Sequence, residues 1–312
     1  MMDWTDANCR RFHRLLSRRA LLYTEMVTAP AIVHGDRAKL LDYDAAEHPV
    51  ALQLGGSDPA ELREAVKIAA DWGYDEINLN VGCPSDRVQS GCFGAVLMTR
   101  PQLVAECVDA MMSVSPVEVT VKCRIGVDEQ VPEEVLPDFI AQMRATGVRR
   151  MTIHARKAWL QGLSPRENRE IPPLDYPLVH RMKTEFADMH LSINGGISGG
   201  DQVRAHLQAM DGVMVGRAAY HQPWDILGEA DALWNDTPLF AHPGEAAREM
   251  RPIILDHLQR GGRLHQFTRH MLGLFHGRPG ARQWRRTLSE GASAGGIEVY
   301  DAALTEVVEA AA

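Results

Sequence analysis

From residue 20 to about residue 235 the chain alternates short β-rich runs with longer helical stretches. That alternation allows little besides βαβ crossovers and a parallel sheet. Seven runs qualify as strands: 21–27, 50–55, 76–81, 117–125, 150–155, 191–194 and 212–216. The helices between them, over 58–72, 97–114, 133–146, 176–187, 200–210 and 220–233, carry their own punctuation. Ser57/Asp58 with Glu61 caps the first and Gly73 ends it, while Gly147 closes the third. Eight strands close a (β/α)8, or TIM, barrel. The remaining strand is expected to precede Met1, with 1–6 as the loop leaving it and Asp3 or Thr5 opening the first helix. After Leu233, Pro238 and Pro243-Gly244 read as a linker, and 245–260, 264–275 and 281–290 look purely helical. The expected organisation is an α/β barrel over 1–236, its first strand truncated or missing, and a C-terminal helical-bundle domain over 237–312.

Composition narrows the class further. No apolar run approaches the roughly 18 residues that a membrane-spanning helix needs, and no secretory leader is visible. The five cysteines are scattered and never spaced CxxC, so neither a disulfide framework nor a structural zinc site is expected. A reducing cytoplasm fits that usage, with no membrane, no metal and no obligate protein partner. The net charge is −8, yet residues 251–290 hold eight arginines against Asp256 and Glu290, a local +6. Such a segment is either a patch for phosphates and nucleic-acid backbone or a solvated helical face.

In a (β/α)8 barrel the functional residues lie at the C-terminal strand ends. Gln53 falls there, as do Asn78 and Asn80, which share one strand face. In 117–125 the apolar alternation sends Val119, Val121 and Cys123 toward the helices and Lys122 into the barrel, at a height matching His154 on the next strand. Asn194-Gly195-Gly196 and Gly216-Arg217 end the last two strands, where barrels of this kind bind phosphate. The glycines let backbone N–H groups approach an anion and Arg217 offers a guanidinium fork; the plain alternative is two tight turns. An interior lysine is costly to desolvate without an anionic partner. A planar, phosphorylated, redox-active ligand suits this set, and FMN is such a ligand. Cys83, in Gly82-Cys83-Pro84 directly after a strand, is expected as the one exposed thiol, with Cys92 its rival and Cys107 and Cys123 packed in the core.

These motifs resemble the tRNA-dihydrouridine synthase family: 1–6, Leu52-Gln53-Leu54-Gly55-Gly56, the run from Asn78 to Ser85, Val121-Lys122-Cys123-Arg124, Ile153-His154-Ala155-Arg156, Asn194-Gly195-Gly196 and Gly216-Arg217. Residues 166–174 and 279–286 are similar to the subfamily that acts on uridines 20 and 20a. The resemblance implies reduction of D-loop uridine in tRNA to 5,6-dihydrouridine, by FMN with NADPH as reductant. It implies that Met1, Met2, Gln53, Lys122, His154, Asn194, Gly195, Gly196, Gly216 and Arg217 hold FMN. It also implies that Cys83 donates the proton, that Asn80 meets the base, and that Arg166, Arg169, Arg282 and Arg285 contact tRNA. The Ala-Pro that the family carries before the Met-Met pair is absent. Two rivals remain: a flavin barrel acting on a free pyrimidine, and a non-catalytic RNA-binding protein.

Overall fold

A computed structural model describes residues 1–85 and 92–311. Among these residues seven strands form one sheet in chain order: β1 (Leu22–Thr28), β2 (Val50–Gly55), β3 (Glu76–Val81), β4 (Glu118–Arg124), β5 (Arg150–His154), β6 (His190–Asn194) and β7 (Gly212–Met214). Every neighbouring pair is parallel, so the sequence-based strand assignments hold to within a few residues. The sheet is an open, TIM-barrel-like half-barrel whose edges are β1 and β7. Met1 lies by the β7 edge: its Sδ is 3.7 Å from where a Cβ on Gly216 would sit, beyond β7.

The first helix, Ala7–Leu16, is capped by neither Asp3 nor Thr5 but by Asp6, whose Oδ1 accepts from Cys9 N at 2.9 Å. Asp6 stands directly ahead of the first turn, whose open N–H groups a side-chain oxygen at that position satisfies. The stretch 220–233 is not one helix. It breaks into Arg217–His221, Pro223–Leu227 and a 3-10 turn at Ala230–Trp234, because Pro223 lacks the N–H that a continuing helix requires. Among the described residues, three further α-helices lie outside the sequence-based set: Ala29–His34, Arg37–Leu41 and Ile297–Ala311. No helix among the described residues is long and apolar enough to cross a membrane.

Two apolar cores organise the molecule. One packs the sheet against its surrounding helices, from Ile32 and Leu54 to Ile193. The other gathers Trp284, Tyr300, Met250 and Phe267 from the C-terminal helices around Phe12 and Leu16 of the first helix. The first helix therefore joins both halves, and two buried arginines fix it. Arg10 Nε donates to Glu47 Oε2 at 2.5 Å, and Arg14 donates to the carbonyls of Ser17, Ala20, Glu47 and Pro49.

Candidate active site

The C-terminal strand ends hold a chain of buried amides. Register places Gln53 beside Asn78 and Asn80 beside Lys122. Gln53 Nε2 donates to Asn78 Oδ1 at 3.0 Å, and Asn80 Nδ2 donates to Gln53 Oε1 at 2.8 Å. Asn78 in turn donates to Thr120 Oγ1, which donates to Glu76. Each of these amides thereby finds a partner, which makes the floor of the site rigid.

This floor carries the thiol. Asn80 Oδ1 accepts from both Gly82 N and Cys83 N at 3.0 Å, which sets the turn after β3. Arg124 Nε donates to Gly82 O at 3.1 Å, and Ala95 N donates to Cys83 O at 2.9 Å. The Cys83 backbone is thus held from three sides, with Sγ half-buried and 3.5 Å from Ser85 Oγ. Cys83 is not the one exposed thiol: Cys92 is the more exposed and sits at φ 56°. The strand end and the Arg124 bond to Gly82 O hold the turn that carries Cys83. Cys107 and Cys123 are buried in the core, where burial raises each thiol to about 12.

Lys122 points inward as the alternation requires, with no hydrogen bond or ion pair among the described residues. Desolvation, with Arg124 adding repulsion, lowers it to about 8. Its register partner on β5 is Thr152; His154 pairs with Arg124. The matching height expected for Lys122 and His154 therefore belongs to Arg124, two residues further along the same face. His154 is buried, and desolvation followed by the charges of Arg124 and Lys122 holds it well below its ordinary pKa, as a neutral ring. Arg124 is the residue that the sequence reading left without a role. Its signal was present, since alternation puts it on Lys122's face.

At the end of β6, Gly195 (φ 112°) and Gly196 (φ 69°) adopt backbone that favours glycine. A Cβ on Gly195 would lie 2.6 Å from His154 Cδ2, and one on Gly196 would lie 2.6 Å from Leu174 Cδ1. The Asn194 side chain does not face the opening; Nδ2 donates to Met214 O at 2.7 Å and ties β6 to β7. Gly216 precedes the helix Arg217–His221. Arg217 binds Glu170 Oε1 at 2.7 Å and Arg169 O at 3.2 Å, so it is anchored to the loop after β5. Met2 is exposed at the rim, beside the partly buried Met1.

That loop brings in Arg166 and Arg169. Asn168, fully buried, bonds to Trp159 N, Trp159 O and Leu163 O and stiffens it, and Arg124 donates to Asn168 O. Arg166 stands 81% exposed, 3.6 Å from Glu170. Arg169 is lowered by desolvation first and then by Arg217, with the Cys83 sulfur acting the other way, and its carbonyl accepts from Arg217 at 3.2 Å. Arg282 and Arg285 lie apart from this rim on the exposed face of Ala281–Gly291, and neither has an ion-pair partner among the described residues. The local +6 is smaller in effect than composition implies. Five of its arginines are neutralised: Arg251 by Asp301, Arg260 by Asp256, Arg269 by Asp6, Arg278 by Asp225 and Arg286 by Glu290.

A parallel, TIM-barrel-like sheet that gathers on one rim a half-buried thiol, two glycine turns and an ammonium unpaired among the described residues has its polar groups where enzymes of this fold carry their chemistry. The family model described as "Dihydrouridine synthase (Dus)" matches residues 1–310, and the chain belongs to that family. It is 56% identical over 309 residues to the tRNA-dihydrouridine(20/20a) synthase of Shewanella oneidensis, covering 98% of this chain and 92% of that one. To the enzyme of the same name from Escherichia coli strain K12 it is 57% identical over 300 residues, covering 96% and 87%. Among solved structures it superposes on morphinone reductase with a TM-score of 0.53 at 14% identity, covering 78% and 85% of the two chains. The old yellow enzyme from Trypanosoma cruzi gives 0.52 at 11% identity, covering 79% and 88%. These last two likenesses concern the fold alone.

Proposed function

We propose that this chain is an FMN-dependent oxidoreductase that reduces the C5=C6 bond of uridines 20 and 20a in the tRNA D-loop, with NADPH as reductant. The observation that carries this reading is the rim itself: a half-buried thiol on a turn held by Asn80 and Arg124, beside a lysine that has no partner among the described residues. Relatives of more than half identity bear the matching name. The barrel over 1–236, the C-terminal domain over 237–312 and a cytoplasmic location belong to the same reading.

The residues fit FMN. A desolvated ammonium with no acceptor is costly unless an electron-rich partner meets it, and the pyrimidine edge of a flavin is one. Lys122, Gln53 and the neutral His154, with Met1 and Met2, would hold the ring system. Asn194–Gly196 and Gly216–Arg217 would hold the phosphate. When bound and reduced, the flavin supplies a hydride to C6 of uracil. The chain's own part is to place a proton. Cys83 Sγ gives its proton to C5, and the Asn80 bonds to Gly82 N and Cys83 N keep that sulfur in register. Asn80 Nδ2 retains a second hydrogen for the base. The base must leave the D-loop stack, at a few kcal/mol, which phosphate contacts from Arg166, Arg169, Arg282 and Arg285 offset.

Purified protein should be yellow, and the yellow fraction should reduce tRNA uridine but not free uracil. Colourless protein that stays so after FMN addition contradicts the reading, and equal activity on free uracil favours the free-pyrimidine rival. Arg282→Ala with Arg285→Ala should weaken tRNA binding and lower the slope of log K against log salt by about 1.5 units. An unchanged slope in a salt titration would leave those arginines outside the interface.

Lys122 adds a pH dependence. In the free protein it loses its proton as pH rises through about 8. An electron-rich partner favours the charged form and raises that pKa, so binding above pH 8 takes up a proton. FMN affinity should therefore fall between about pH 8 and 9, by up to about tenfold per unit, and Lys122→Met should bind weakly but without this dependence. A flat wild-type profile in fluorescence titrations contradicts the assignment.

A further inference from the structure

The turn at Gly195 and Gly196 is gripped from behind by one residue to which no role has been given. Tyr176 opens the helix Tyr176–Glu185, just after Asp175, whose backbone N–H donates to Ala155 O beyond β5 at 2.8 Å. From that anchor the Tyr176 hydroxyl donates to Gly195 O at 2.6 Å. It also lies 2.9 Å from where a Cβ on Gly196 would sit, so the glycine is required by the tyrosine as much as by the backbone angle. The ring is walled by His206, in edge contact at 4.5 Å, and His206 Nδ1 is 3.0 Å from His180 Nε2. Burial raises the Tyr176 pKa against a smaller lowering from Arg156, so the hydroxyl keeps the proton it donates.

The consequence follows from peptide geometry. In a trans peptide the C=O of one residue and the N–H of the next point in opposite directions. With the Gly195 carbonyl bonded to Tyr176, the Gly196 N–H is turned away from the tyrosine, and it has no acceptor among the described residues. A backbone donor left open at the end of β6 is the group that a phosphate binds. We infer that Tyr176 is a positioning residue for the cofactor phosphate, holding the Gly195–Gly196 peptide in the orientation that presents the Gly196 N–H to it. The inference rests on the flavin reading above and adds a residue that never touches the ligand.

FMN and riboflavin share the ring system and differ by the phosphate, so together they isolate this effect. The full chain and its Tyr176→Phe variant, each stripped of flavin, are titrated with FMN and with riboflavin by flavin fluorescence. Phenylalanine keeps the ring against His206 and removes only the donor. Without that bond the peptide is free to rotate, and FMN affinity should fall about three- to tenfold, the worth of one hydrogen bond. Riboflavin affinity should stay unchanged. The 31P resonance of bound FMN should shift between the two proteins. Equal FMN affinities, or an equal loss for both flavins, would overturn the role given to Tyr176 while leaving the flavin reading intact. A wild-type chain that binds neither flavin would overturn that reading and this inference together.

Discussion

Cys83→Ala should retain bound flavin and lose dihydrouridine formation by about 10²–10⁴-fold, the usual worth of a positioned general acid. The geometry separates the two properties. The Cys83 backbone, not its sulfur, takes the bonds from Asn80 and Ala95, and alanine keeps all of them. Lys122 and the turns at Gly195 and Gly216 are untouched, so flavin content and its reduction by NADPH should match the parent. Only the proton to C5 is missing. Single-turnover reduction of unmodified tRNA measures this directly. A loss confined to binding, or no loss, would pass the acid role to another group, with the exposed Cys92 the first to replace.

The largest expected effect on stability comes from Arg10→Met. Arg10 is 5% exposed and Glu47 fully buried, and the pair joins the first helix to the segment ahead of β2. Burial raises the Glu47 pKa even against the opposing pull of Arg10 and the Asp44 N–H, so desolvation already outweighs the pairing. Removing one partner of such a pair leaves an uncompensated charge and should destabilise the fold by about 3–5 kcal/mol. Removing both should not: Arg10→Met with Glu47→Gln should recover much of the loss, because a neutral amide can keep the Asp44 N–H bond without a counter-charge. Chemical denaturation of the two variants decides this. Equal instability in both would mean that the Arg10 bond to Thr5 O, which holds the residues ahead of the helix, matters more than the charge.

The strand ends were legible in the sequence because β-branched runs bounded by glycine and proline have few other readings. Gln53, Asn80, Lys122 and Cys83 followed from one rule, that chemistry sits where parallel strands stop, and the structure brings them to one rim. What the sequence did not yield depends on contacts between distant residues. The arginine segment read as +6 because Asp6, Asp225 and Asp301, which neutralise three of its members, lie outside it. Arg124 was visible on the inward face but had no reason to act until its bond to Gly82 O appeared. Tyr176 works through a carbonyl, which no side-chain motif records. The last helix, Ile297–Ala311, did leave a signal: Tyr300, Ala303 and Val307 share one face at helical spacing and pack on the second core.

Dihydrouridine mapping of tRNA tests the central claim most directly. Cells deleted for this gene should lack the modified base at positions 20 and 20a, regain it with the intact gene, and fail to regain it with the Cys83→Ala form. Full modification in the deleted cells, where no second enzyme acts on those positions, would contradict the account, as would restoration by the alanine form.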